Sequence, residues 1–155
     1  MKKIRPYIIS VLIALGIGAL SALITKDYMN IYEIIQRPPL SPPPAVFPVV
    51  WTILYTLMGI SSAMIYTECG GTQECGEALR AYALQLVVNF FWSIIFFRWR
   101  MFLFAFIWLL LLVVLVIVMI IRFWKIKPVA AYLQILYLVW LVFAAYMNLG
   151  IFILN

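Results

Sequence analysis

The sequence predicts an all-α integral membrane protein, a five-transmembrane-helix bundle. The first observation is composition: the 155 residues are 68% hydrophobic and only 10% charged. In an ordinary soluble domain about a quarter of the residues are charged. A soluble chain of this size could not hide so much apolar surface in one core. We therefore expect the lipid bilayer to surround the chain.

The second observation is the arrangement of apolar residues in five blocks. The blocks are residues 7–25, 46–66, 81–97, 101–123 and 129–154. Each is close to the roughly 20 residues that a helix needs to cross the hydrocarbon. Within the fourth block, residues 109–121 are apolar on every face, which does not fit the alternating strands of a membrane β-barrel. Backbone groups in lipid must pair internally, so we expect five helices in a single transmembrane domain spanning residues 1–155.

Basic residues flank these blocks unevenly. Seven fall on the side of the N-terminus and four on the other side. The positive-inside rule then predicts a cytoplasmic N-terminus in a multi-pass cell-membrane protein. In this orientation the connection that contains Cys69 and Cys75 is cytoplasmic, so we expect free thiols there. A disulfide between them would need the opposite orientation.

Several functional classes are excluded by what the sequence lacks. There is no histidine, and no Asp, Glu, Lys or Arg lies in the middle of an apolar block. This argues against hydrolytic triads, proton relays and ion sites. Two cysteines without histidine do not make a zinc site, so no metal is expected. The net charge of +6 is spread over the helix flanks, so we expect no nucleic-acid partner.

The first connection, residues 26–45, is longer than a simple turn requires. Asn30 and Glu33 have the spacing of a capping box for a short helix that Pro38 would end. The isoleucines of this helix would face the bundle, and a stiff proline-rich run follows. Two interpretations stay open: a lid over a cavity between the helices, or a rigid spacer lying on the membrane surface.

Polar and aromatic residues recur at helical spacing in three blocks. They are Trp51, Tyr55, Met58 and Ser62 in the second block, Gln85, Asn89, Trp92 or Ser93, and Phe96 in the third, and Gln134, Tyr137, Leu141, Ala144 and Asn148 in the fifth. An unpaired amide facing lipid costs several kcal/mol, so these stripes should face other helices or a ligand. The alternative is interhelical hydrogen bonding, worth ~0.6 kcal/mol per residue. We expect Trp99, Trp108 and Trp124 to be interfacial anchors or to face lipid.

Three separated segments carry a recognisable pattern. They are YExxQRPPLSPP and FPVVWTxLYxxMG between residues 32 and 59, YAxQLxxNxxWSxxFF at 82–97, and YLQxxYxxWxxFAAYMN at 132–148. In this order, on a chain of this length, they resemble the TspO/MBR family of tryptophan-rich sensory proteins. That family includes the translocator protein, also called the peripheral benzodiazepine receptor.

The resemblance implies a site between the first, second, third and fifth helices, beneath the first connection. The matching residues are Tyr32, Trp51, Asn89, Trp92, Trp140 and Ala144. The implied ligands are tetrapyrroles such as protoporphyrin IX and isoquinoline-carboxamide or benzodiazepine-like molecules. No cofactor is required, with porphyrin bound as a ligand. A homodimer is also implied, and Ala14, Gly18 and Ala22 form a small-residue seam that would serve it or serve internal packing.

The sequence departs from the family pattern in three places. Leu40 stands where the family commonly has Trp, and Leu136 where it commonly has Pro. No Lys or Arg follows Tyr146, so the family's cholesterol-recognition pattern is absent. These departures affect lid docking, the bend of the last helix and sterol binding, respectively.

Three functions remain open at this point. The first is a receptor that binds tetrapyrroles and senses stress. The second is light- and oxygen-dependent porphyrin degradation, with Trp51 and Trp140 as redox-active candidate catalytic residues. The third is a porphyrin or lipid transporter, although the lack of charged intramembrane residues argues against proton coupling.

Overall fold

The computed structural model describes residues 3–69 and 71–155, in which five helices are long and apolar enough to cross a membrane. The elements are α1 (Arg5–Thr25), α2 (Ile31–Ile34), α3 (Val46–Cys69), α4 (Gln73–Ser93), α5 (Phe102–Ile126) and α6 (Pro128–Leu154). A 3-10 turn, Lys26–Tyr28, prolongs α1, and a π-helical turn, Ile94–Arg98, prolongs α4. The predicted all-α membrane fold is confirmed, and the chain is a multi-pass membrane protein.

Helix α4 begins at Gln73, well before the apolar block that starts at residue 81. Its first turns are polar and contain Glu74, Glu77 and Arg80. The Thr72 side chain accepts a hydrogen bond from the Cys75 backbone N–H at 3.2 Å, which caps the helix start. Hydropathy therefore marked only the apolar part of a longer helix.

The long helices form a closed ring in the order α1, α3, α6, α5, α4. Glycines bring α1 and α3 together: a Cβ added to Gly59 would lie 2.5 Å from Val11 Cα, and one on Gly18 equally close to the Tyr55 ring. Ala14, in the same seam as Gly18, is fully buried. This part of the small-residue seam is therefore used for packing inside the bundle, and the homodimer stays a prediction.

The half of the bundle near the N-terminal side, here the packed half, is filled with side chains. Met58, Ile65, Met119 and Phe123 are all fully buried there. The Ser61 hydroxyl donates to the Ala130 carbonyl at 2.7 Å and links α3 to α6. Such filling is normal for a protein interior.

A disulfide joins Cys69 and Cys75, so the expectation of free thiols is wrong. The turn between α3 and α4 is short, and it brings the two Cα atoms to 5.7 Å, which is a usual separation for this bond. Disulfides persist in oxidising compartments. The bond therefore favours the orientation opposite to the one that the count of basic residues predicts.

Candidate functional site: a cavity beneath the lid

The segment 26–45, here called the lid, lies across the ends of the transmembrane helices. The expected capping box is absent: Asn30 has helical backbone angles, and its side chain makes no cap. The helix α2 ends at Ile34, because Ile35 is already extended, well before Pro38. Ile31 is buried as expected, but Ile34 is 75% exposed. The expectation that all the isoleucines face the bundle is therefore wrong.

The proline-rich half of the lid is fastened to the end of α6. The Tyr146 hydroxyl donates to the Pro39 carbonyl at 2.8 Å. The Asn155 side chain accepts from the Gln36 backbone N–H at 3.1 Å and donates to the Gln36 carbonyl at 2.8 Å. Pro38 fits against Gly150, where an added Cβ would lie 2.6 Å from the proline ring. We call these three contacts the latch.

Leu40 shows what its departure from the family pattern changes. It is 83% exposed and has a positive φ of 72°. A non-glycine residue in this conformation carries a strain of about 1–2 kcal/mol. The side chain points away from the interior, so its identity leaves the inner face of the lid untouched.

Beneath the lid, the helices surround a cavity of about 270 Å³, which is partly open to the outside, since the lining residues Ala22, Met29 and Pro48 are exposed. Its walls come from α1, α3, α4 with its π-helical turn, and α6, while α5 contributes no lining residue. Gly18, Ser21 and Ala22 of α1 form a wall of small side chains opposite rings from the other helices. At Gly18 the wall touches the Tyr55 ring, so the space lies beside Ser21 and Ala22, whose small side chains do not fill it.

The aromatic wall of the cavity is a connected set of rings. Trp51 and Trp140 lie 6.5 Å apart in an edge-to-face arrangement, and Phe47 contacts Trp140 at 5.9 Å. Tyr32 of the lid stands edge-on to Phe47 at 5.0 Å. Its hydroxyl donates to the Pro42 carbonyl at 2.6 Å, which fixes the ring over the cavity. Edge-to-face pairs are worth about 0.5–1.5 kcal/mol beyond burial, so each ring positions the next.

Amide groups form the polar floor of the cavity. Asn89 Nδ2 donates to the Tyr137 hydroxyl at 2.8 Å, and that hydroxyl donates to Gln85 Oε1 at 2.7 Å. On the other side, Trp92 Nε1 donates to Asn148 Oδ1 at 3.1 Å. The amides are thus used as interhelical hydrogen bonds, while Asn89 and Asn148 also line the cavity. The sequence-based interpretations of these residues, as a lining that faces a ligand and as interhelical hydrogen bonds, therefore each hold in part.

Among residues 3–69 and 71–155, four buried side-chain polar atoms lack a hydrogen-bond partner. They are Trp140 Nε1, the Tyr82 hydroxyl, and both polar atoms of the Gln134 side chain. Gln134 and Tyr82 each lie one turn from a member of the Tyr137–Gln85 hydrogen bond. Only Trp140 belongs to a cavity-lining residue. Buried polar groups are normally paired with protein or water, so these atoms mark where the interior can still accept a polar partner.

The structure brings all six sequence-predicted site residues to this one cavity. Sequence reasoning missed Phe47, Met29 and Phe97. Phe47 could have been found, since it lies one helical turn before Trp51 on the same face. Phe97 was missed because the helical stripe of the third block passes through its chain neighbour Phe96, whereas the structure has both residues lining the cavity within the π-helical turn.

The placement of one outer tryptophan is wrong in the sequence-based prediction. Trp108 was expected to anchor at the interface, but its Nε1 donates to the Val88 carbonyl of α4 at 2.7 Å. Its ring packs against the buried core. Trp99 and Trp124 are 55% and 46% exposed, respectively, as an outer position requires. Helical spacing alone did not separate Trp108 from Trp124, because most of α5 between them is apolar on every face.

The cavity is electrically neutral. None of its lining residues is charged. Within residues 3–69 and 71–155, no group of three potential ligand side chains stands close enough to hold a metal ion. The polar lining consists of amides, hydroxyls and indole N–H groups. These can orient a ligand through a few hydrogen bonds while the rings contact its faces.

The fold and this site define a class: a multi-pass membrane protein with an aromatic cavity beneath an interhelical lid. Comparison with known proteins identifies the family. Residues 9–154 match the TspO/MBR family, and the chain belongs to that family. It is 37% identical over 118 residues to the translocator protein of Ovis aries, covering 76% of this chain and 70% of that protein.

Two further relatives extend the similarity. The translocator protein of Bos taurus is 36% identical over 133 residues, covering 84% of this chain and 79% of the relative. The tryptophan-rich protein TspO of Chlorobaculum tepidum is 29% identical over 155 residues, covering 99% and 98%. The match to the family, over residues 9–154, includes the lid and the cavity-forming helices together.

Proposed function

We propose that this chain is a membrane receptor that binds tetrapyrroles such as protoporphyrin IX, and other flat hydrophobic ligands, in the cavity beneath the lid. The observation that carries the proposal is the cavity itself, with rings from α3, α6 and the lid around a neutral floor of amides. Flat aromatic ligands gain most from such walls, because stacking adds to area burial. The family relationship supports the same class of ligand.

The size of the cavity adds a condition to this proposal. Sites for drug-sized molecules usually measure about 300–1,000 Å³, and this cavity has about 270 Å³. A cavity just below this range would admit an isoquinoline-carboxamide-sized molecule after small side-chain shifts. A tetrapyrrole macrocycle is larger, so its binding requires the lid or α1 to move outward. The latch, which joins the lid to α6, is the contact that such a movement would release.

The test is a titration of detergent-purified protein with protoporphyrin IX in the dark, followed by tryptophan quenching. Trp51→Phe and Trp140→Phe shrink the aromatic wall without leaving a large void. Losing the stacking of one ring, about 0.5–1.5 kcal/mol, weakens binding roughly twofold to tenfold in each variant. Trp124→Phe is the matched control, because Trp124 is 46% exposed and lies outside the cavity.

The binding curves separate the proposal from its alternative. Saturable one-site quenching that weakens in the two cavity variants but not in the control supports the receptor. Linear, unsaturable quenching that is identical in all four proteins would mean that the porphyrin only partitions into the micelle. The proposal would then fail, while the fold and the family assignment would remain.

A second function, light- and oxygen-dependent degradation of bound porphyrin, is favoured by the grouping of oxidisable rings. Trp51 lies 6.5 Å from Trp140, 5.6 Å from Tyr55 and 6.3 Å from Tyr137. Illumination of the complex in air should then give a new absorbance band that is retained with the protein and is lost in Trp51→Phe. Bleaching at the rate of free porphyrin would leave binding as the only function. Transport would instead require porphyrin flux across sealed vesicles.

A further inference from the structure

Two arginines stand beside the cavity, and each is stacked on a tyrosine of the lid segment. Arg37 Cζ lies 4.6 Å from the Tyr32 ring centroid, and Arg98 Cζ lies 5.6 Å from that of Tyr28. Tyr32 lines the cavity, and so do Met29, which follows Tyr28 in the chain, and Phe97, which precedes Arg98. Both arginines are themselves exposed. We call Tyr28, Arg37 and Arg98 the rim.

The two membrane faces differ in whether their charged side chains form ion pairs. On the opposite face, Arg122 pairs with Glu77 at 2.8 Å and Lys127 with Glu68 at 3.6 Å. On the lid face, four cations (Lys26, Arg37, Arg98 and Arg100) accompany two acids (Asp27 and Glu33), an excess of two positive charges. In the part of the chain that the structure describes, no acid lies within ion-pair distance of these cations.

Stacking leaves an arginine ready to bind an anion. The guanidinium carbon of each arginine lies over a tyrosine ring, and a guanidinium that rests on a ring keeps the N–H donors in its own plane free. A carboxylate can therefore approach edge-on and form two parallel hydrogen bonds without displacing the tyrosine. The tyrosine ring also restricts the motion of the arginine, which reduces the ordering cost of binding.

The neutral interior decides where a charged group of a ligand must lie. The floor and walls offer no cation, and an unpaired carboxylate inside would be strongly disfavoured. A ligand with an apolar planar body and acidic groups on one edge fits both parts of the site. Its body occupies the cavity, and its acidic edge remains at the rim.

We propose that Arg37 and Arg98 form an acid-recognition subsite, which selects flat apolar ligands that carry carboxylates on one edge. This inference rests on the proposed function and adds the chemistry by which the site discriminates among ligands. Neutral ligands of similar shape bind in the cavity without using the rim. The anion that the rim recognises is a carboxylate, and the phosphate of an anionic lipid is the competing source of the same chemistry.

The test compares protoporphyrin IX with its dimethyl ester, which has the same macrocycle and no negative charge. Both are titrated in the dark into the full chain and into Arg37→Gln, Arg98→Gln and the double variant. Arg80→Gln is the control, because Arg80 is an exposed arginine on the opposite face. We expect each single variant to lose about tenfold in affinity for the acid and the double variant more, with the ester changed by less than about threefold.

The outcomes distinguish this subsite from the receptor proposal. If acid and ester bind saturably and the variants leave both affinities unchanged, or weaken both equally, the subsite is overturned and the receptor survives. If neither porphyrin saturates, the receptor fails and the subsite with it. Titrations in nanodiscs with and without phosphatidylglycerol test whether the phosphate of an anionic lipid binds at the rim. An affinity for the acid that falls with this lipid in the wild type, but not in the double variant, would assign the rim to the lipid phosphate instead.

Discussion

The two halves of the bundle are built from similar apolar helices, yet one is filled and the other contains a cavity. In the packed half, glycine brings the α1 and α3 backbones into contact, with Gly59 against Val11. In the lid half, α1 presents Ser21 and Ala22 to Trp51 and Trp140. The rings support each other instead of filling the space opposite. The difference teaches that a cavity here depends on small residues facing a self-supporting aromatic wall.

The largest effect should come from adding one methyl group in the packed half. In Gly59→Ala the new Cβ meets the Val11 backbone at 2.5 Å, so α1 and α3 must separate. We expect a loss of about 3 kcal/mol, as for severe overpacking, measured as a lower unfolding temperature in detergent. Gly16→Ala is the control, because nothing lies within 4 Å of its added Cβ. Equal stability of the two variants would contradict the close packing of this half.

The disulfide closes the packed half at its outer end. Replacing Cys69 and Cys75 by serine releases a short loop, and the chain-entropy relation gives a loss of about 2 kcal/mol. The bond also makes a prediction about orientation, because it requires an oxidising compartment. A reporter fused to the N-terminus, near the same membrane face, should be found outside the cytoplasm. A cytoplasmic reporter together with freely labelled thiols would restore the orientation that the basic residues predict.

A pair of alanines on α6 tests the comparison within one helix. Ala144 lines the cavity, whereas Ala131 is fully buried in the packed half. Ala144→Leu should fill free space, so the affinity for protoporphyrin IX falls at least tenfold, about 1.4 kcal/mol, with stability unchanged. Ala131→Leu should lower the unfolding temperature by overpacking. The comparison would break if both variants unfolded at the same lower temperature and bound ligand equally.

The sequence predicted the fold class and the inward-facing stripes because membrane helices leave a strong periodic signal, but it did not separate the stripe residues that line the cavity from those, such as Met58 and Gln134, that are buried between helices. Asn89 could be placed because an amide must not face lipid, which restricts the rotation of its helix about the helix axis. Trp140 could be placed because it belongs to a matched motif. Trp108 could not be placed, since most of α5 is apolar on every face and carries no such restriction. The π-helical turn, Ile94–Arg98, changes the register without leaving a pattern in the residue types. The disulfide was hidden by a topology argument based on charge alone.

The smallest effect concerns the latch between the lid and α6, and it shows whether the lid half opens as a unit. Tyr146→Phe removes one hydrogen bond to the Pro39 carbonyl, and such a bond is worth about 0.5–1.5 kcal/mol. Because the bond joins two parts that must separate when a large ligand leaves, we expect faster dissociation of protoporphyrin IX by roughly twofold to tenfold. Stability should change little, since the Tyr146 ring is 43% exposed.

The control for the latch is Tyr132→Phe, a lipid-facing tyrosine of the same helix that is 58% exposed. Stopped-flow dissociation of protoporphyrin IX measures the difference between the two variants directly. If Tyr146→Phe, alone and combined with Asn155→Ala to remove the other latch hydrogen bonds, releases the ligand at the rate of Tyr132→Phe and of the wild type, the lid does not control exit. The ligand must then leave between helices, and the small residues of α1 at Ser21 and Ala22 become the gate instead. In that case the lid half would differ from the packed half by the small residues of α1 rather than by a lid that opens.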